Sequence, residues 1–119
     1  MACLFCMEYH EFMFVLVTYV PESHLSCVKE ALFKAGAGAM GSYDSCCWQV
    51  KGRGQFRPLA GSHPFLGSGN KMEEVDEWRL ELVVDDFHAK AAVEALLQAH
   101  PYEVPAYHLI PVVTYDDLA

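Results

Sequence analysis

His100–Val112 reads HPYEVPAYHLIPV, and this stretch decides how the second half of the chain is built. Pro101 and Pro105 hold φ at about −65° and push His100 and Val104, the residues before them, into extended geometry. A helix arriving through Ala91–Ala99 must stop at His100, and a strand, Ala106–Val112, follows almost at once. Between and beyond the prolines stand Tyr102, Glu103, Tyr107 and His108. Two imidazoles, a carboxylate and two phenols on so constrained a backbone form either a binding wall or a structural corner.

Upstream, Ala89, Ala92, Val93, Leu96 and Leu97 repeat at helical spacing, and Asp85 or Asp86 is placed to cap that helix. Before it, Val75–Val84 alternates as a strand, with Trp78, Leu80, Leu82 and Val84 on one face and Arg79 and Glu81 on the other. The first half repeats the plan. Phe12–Val20 (FMFVLVTYV) reads as a buried strand, and Pro21-Glu22-Ser23 opens a helix whose apolar stripe is Leu25, Val28, Leu32 and Ala35. Gly36-Ala37-Gly38 ends that helix, and Tyr43–Gly52 resumes a strand with Cys46, Trp48 and Val50 on one face. Gly52–Lys71, rich in glycine and holding Pro58 and Pro64, is a long irregular connection of the kind that carries function or an interface.

The order β-α-β, β-α-β predicts an α+β, ferredoxin-like βαββαβ domain: a four-stranded antiparallel sheet with two helices on one face. Residues 13–119 make one domain and residues 1–12 an extension ahead of it. With helices on one face only, the other is open; Trp48, Val50, Leu80 and Leu82 on strongly apolar strands predict that another subunit covers it.

Apolar residues at 53% against 20% charged describe a packed globule, not a disordered chain. The longest apolar run, Phe12–Val17, is too short to span a bilayer, and no basic segment precedes a long apolar one. Five cysteines, odd in number and without framework spacing, suit a reducing cytoplasm. A net charge of −8 argues against nucleic acid as a partner. The charge is unevenly spread. Ser45–Met72 contains no Asp or Glu but holds Lys51, Arg53, Arg57 and Lys71, so four basic residues face sixteen acidic ones in the remainder. This basic excursion either captures an anionic ligand, docks on the acidic body of a neighbouring subunit or partner, or is a solvated loop.

Several familiar chemistries fail on spacing. Cys3-x-x-Cys6, followed by His10, has no second pair to complete a metal site. Cys46 and Cys47 are adjacent and face opposite sides of a strand; Cys27 suits a buried helix position. Gly36-Ala-Gly38-Ala-Met-Gly41 follows a helix, so a phosphate there would meet no helix N-terminus. His100, Glu103 and His108 are candidate ligands for a divalent metal, with His63 brought in by the long loop, although no HxH or HxxxH pair is present. The structural alternative for His100 is an imidazole bonding the last carbonyls of its helix.

VPESHLSCVKEALFKAGAGAMGSYDSCCW (Val20–Trp48), GQFRPLAGSHPFLG (Gly54–Gly67) and AHPYEVPAYHLIPV (Ala99–Val112), in this order, resemble the YqfO-like family. Its members stand alone or form a domain inserted in larger dimetal proteins called Nif3-like. The HPYEVP…PV segment also resembles CutA, the divalent-cation tolerance family. Both resemblances imply a PII-like or CutA-like ferredoxin fold and a trimer, since CutA and PII proteins are trimers. The dimetal centre of the larger proteins lies in flanking halves that this sequence does not contain, so metal hydrolysis does not carry over. Val104 stands where the YqfO-like motif usually has a second glutamate, which brings the segment nearer to CutA. In PII proteins the loop between the second and third strands contacts ligands, and Gly52–Lys71 holds that position.

The expectation is a cytoplasmic homotrimer that binds a small ligand or a divalent metal at subunit clefts, without covalent chemistry. Lys51, Arg53, Arg57 and His63 would face His100, Tyr102, Glu103 and Tyr107 across the site. The competing readings are an enzyme using Glu103 and a histidine as acid and base, and a purely structural oligomerisation module.

Overall fold

The computed structural model describes residues 12–119; Cys3, Cys6 and His10 lie outside them. Strand β1 (Met13–Val20) leads through a single 3-10 turn (Glu22–His24) into helix α1 (Leu25–Lys34). Strands β2 (Trp48–Phe56) and β3 (Glu73–Asp85) form a hairpin, helix α2 (Asp86–Ala99) follows, and β4 (Tyr107–Val112) closes the sheet. The sheet order is β2-β3-β1-β4 with every pairing antiparallel, and the fold class is that expected from the sequence.

Alternation along the strands puts one set of side chains under the helices. Leu16 and Val20 of β1 and Leu80, Leu82 and Val84 of β3 are buried there against Val28 and Leu32 of α1 and Ala89, Ala92 and Leu96 of α2. Removing so many branched side chains from water supplies the main drive for folding. Thr18 is the polar exception among them, and its hydroxyl donates to the Ala106 carbonyl at 2.9 Å, pinning the entry to β4. Leu80 and Leu82 thus belong to the helix-covered face. The open face instead presents Trp48, Val50 and Ile110, all exposed.

Helix ends follow local chemistry. Gly36 sits at φ 104°, where a side chain is strained, and a Cβ there would also strike the His88 ring. The Asp85 carboxylate caps α2 by accepting from both the backbone N–H and the ring Nδ1 of His88, each at 2.8 Å. His100 leaves α2 with φ −74° and ψ 134°, the extended geometry that Pro101 imposes.

Two boundaries differ from the sequence expectation. The second strand starts at Trp48, because Gly41 and Ser45 adopt positive φ and Met40 pairs with Tyr43 in a tight turn. It then runs on to Phe56, because Gly52 and Gly54 are held opposite Glu77 and Val75 by cross-strand pairing. The irregular connection is therefore residues 57–72. Among the described residues no helix is long and apolar enough to cross a membrane.

Candidate ligand-binding site

The connection 57–72 does not hang free. Pro58 is buried, its carbonyl accepts from Asn70 N–H, and the Phe65 ring stands edge-on to His24 at 5.3 Å beside the start of α1. His63 donates its backbone N–H to Glu103 Oε1 at 3.0 Å, so the loop is tied to the turn that follows Pro101. Contact between the 57–72 connection and this turn is thus made by a peptide N–H and a carboxylate, not by Lys51, Arg53 or Arg57.

Between them lies a cavity of about 260 Å³, slightly smaller than an ordinary small-molecule pocket. Tyr19, Phe56, Phe65 and Tyr102 supply aromatic walls, and Glu77 and Glu103 supply its charged groups. Tyr102 is the hub. Its ring centroid lies 6.4 Å from Phe56, 6.3 Å from Phe65 and 4.7 Å from His100. Its hydroxyl donates to Glu77 Oε2 at 3.1 Å. Burial, then the Glu77 charge and this hydrogen bond, hold the phenol well above its usual pKa, so it remains a donor. Gly54 makes the arrangement fit: a Cβ at this position would overlap the Glu77 carboxylate.

His100 works beneath the wall. Its Nε2 lies 2.6 Å from the Tyr19 carbonyl, which can only accept, so Nε2 carries the proton. Its Nδ1 accepts from the Tyr102 backbone N–H at 3.2 Å. Both nitrogens of a neutral ring are therefore used. Burial is the main cause of a pKa below the ordinary imidazole value; the nearby His24 also lowers it, and the bond to Tyr19 opposes the shift.

The remaining candidates are placed elsewhere. Arg53 lies out on the hairpin and pairs with Asp76 at 3.1 Å and Glu74 at 3.3 Å, all three side chains more than half exposed. Lys51 and Arg57 are exposed and do not line the cavity. Tyr107 packs against the core under the helices. His108 is exposed on the open face of β4, paired in register with Val17. His100, Glu103 and His108 do not converge, and among the described residues no group of three or more His, Cys, Asp or Glu side chains is placed to hold a metal ion. Tyr19, Phe56, Phe65 and Glu77 were not singled out from sequence. The only local sign was the apolar pair Phe65-Leu66 inside a glycine-rich loop.

A βαββαβ sheet with helices on one face, a long β2–β3 hairpin and a loop folded back on the turn before the last strand defines a PII/CutA-like module. CutA from Xylella fastidiosa superposes with a TM-score of 0.63 at 19% identity, covering 86% of this chain and 85% of that one. The PII-like protein CutA from a Nostoc species gives 0.60 at 14% identity, covering 83% and 80%. At these identities the likeness is one of fold. No protein-family model matches the chain. Its sequence relatives are more particular: the chain is related to the YqfO/Nif3 proteins. It is 41% identical to a protein named GTP cyclohydrolase 1 type 2 homolog in Halalkalibacterium halodurans, over 86% of this chain and 27% of that protein. A protein of the same name in Bacillus subtilis is 42% identical over 82% and 26%. The structure of a Bacillus cereus protein related to NIF3 superposes with a TM-score of 0.77 at 34% identity, covering 89% of this chain and 27% of that one. The chain thus spans about a quarter of the length of the curated relatives it matches.

Proposed function

We propose that this PII/CutA-like module acts by binding a small ligand in the cavity between residues 58–66 and the Tyr102–Ala106 turn, and that it does so as a homotrimer assembled through its open sheet face. The observation that carries the reading is the His63–Glu103 hydrogen bond, which joins two segments forty residues apart in sequence beside an aromatic-walled cavity. Mostly apolar walls with a few directed polar groups are the usual form of a small-molecule site. Trp48, Val50 and Ile110, exposed on a face without helices, support burial against a second copy.

Light scattering coupled to gel filtration tests the assembly, with a trimer expected; a monomer at micromolar concentration would remove that part of the reading. A thermal-shift screen with amines, carboxylates, nucleotides and divalent metals tests binding, since a ligand that prefers the native state raises the midpoint. Binding should be lost in Tyr102→Ala. A hit unaffected by that substitution places the site elsewhere.

A further inference from the structure

The basic excursion in the sequence invites an anionic ligand, yet the wall of the cavity has the opposite chemistry. Lys51, Arg53 and Arg57 do not line it, and among the described residues neither does any other lysine, arginine or histidine. Four aromatic rings, Tyr19, Phe56, Phe65 and Tyr102, surround the space, with two carboxylates, Glu77 and Glu103, among them. Ring faces carry the negative side of the aromatic quadrupole, and a cation over them is attracted more strongly when it is desolvated. Each carboxylate spends one oxygen inside the protein, Glu77 on the Tyr102 hydroxyl and Glu103 on the His63 N–H. An ionised carboxylate offers about four lone-pair directions, so each can still accept from a ligand. Among the described lining residues an anion would meet two like charges and no cation.

Resting on the reading of this cavity as the binding site, we infer that it selects a small organic cation, a substituted ammonium whose charge lies against Glu77 and Glu103 and whose alkyl groups lie against the four rings. At about 260 Å³ the pocket is small for a nucleotide, and among the described residues no group of three His, Cys, Asp or Glu is placed for a bare metal. Its aromatic walls and carboxylates suit a weakly hydrated cation, which loses less on leaving water than a compact one.

Glu→Gln substitutions isolate the charge. In Glu103→Gln the side-chain oxygen can still accept from His63, and in Glu77→Gln it can still accept from Tyr102, so the walls keep their ties. The test is titration of the full chain, followed by amide chemical shifts, with choline, its uncharged dimethylbutanol isostere, and inorganic phosphate. Choline is expected to shift the amides of Phe65, Tyr102 and Glu103 and to bind at least about ten-fold more tightly than the isostere. Glu103→Gln and Glu77→Gln should each weaken choline by several-fold and leave the isostere unchanged. Equal binding of choline and its isostere, or shifts of these amides by phosphate, overturns the cation while leaving the cavity as a site. If none of the three probes moves these amides at millimolar concentration, the cation inference fails. The wider reading then stands or falls by the thermal-shift screen.

Discussion

His100 shows how a titratable side chain can be important without meeting a ligand. Its ring bridges the Tyr19 carbonyl of β1 and the Tyr102 N–H, and it can make both bonds only when neutral with the proton on Nε2. Burial lowers its pKa from the ordinary 6.5, so the folded chain binds this proton less readily than the unfolded one. Stability linked to His100 is therefore complete above pH 6.5 and is lost as pH falls from there through the lowered native value. Thermal midpoints recorded between about pH 7 and pH 5 should fall with acid in the native chain. His100→Gln should have a lower midpoint at neutral pH and a flatter profile over that range. An unchanged slope in the variant would assign the acid sensitivity to other groups.

At the scale of elements, the β2–β3 hairpin shows where sequence reading reaches and where it stops. Alternation makes Leu80, Leu82 and Val84 legible as one face of a strand, because burial on one side leaves a period of two. It does not tell which face the helices cover, and the sequence reading puts Leu80 and Leu82 on the open one although they are core. Gly54 reads as loop, since glycine has little strand preference of its own; the partner strand, distant in sequence, holds it extended opposite Val75. Arg53 misled for a related reason. Its acidic partners Glu74 and Asp76 lie beyond the acid-free segment in sequence but across the ladder in space. Tyr102 and Glu103 could be picked out because two nearby prolines fix their backbone. Tyr19 and Glu77 could not, because their place in the site depends on strand register. Gly54→Ala tests that dependence. The new methyl displaces a flexible carboxylate and no backbone, so the stability change should stay within about 1 kcal/mol. The Tyr102–Glu77 bond should open, read as a change in the near-UV tyrosine signal with the unfolding midpoint nearly unmoved. A large drop in midpoint would mean that Glu77 cannot move aside.

For the whole molecule the open sheet face is the main unmet demand. Ile110 is 46% exposed and Trp48 61% exposed, on strands whose other sides are packed. A charge there leaves the core under the helices untouched but is costly in an interface between copies. Ile110→Glu is expected to elute as a folded monomer, with native far-ultraviolet circular dichroism, under conditions where the unmodified chain assembles. A variant that remains assembled would place the interface on another surface.

The ties around Tyr102 also make the cavity mechanically lopsided. One jaw is anchored to the sheet through His100 and β1; the other is held to it by the backbone bond from His63 to Glu103, on an exposed loop. The anchored jaw is pre-organised, so little side-chain entropy is lost there when a ligand arrives. The loop side is held by that bond and by the edge-on Phe65–His24 contact, with no tie to the sheet as short as that of His100. Changes in the loop should therefore alter how long a ligand stays, whereas changes at the anchored wall should alter whether it is recognised at all.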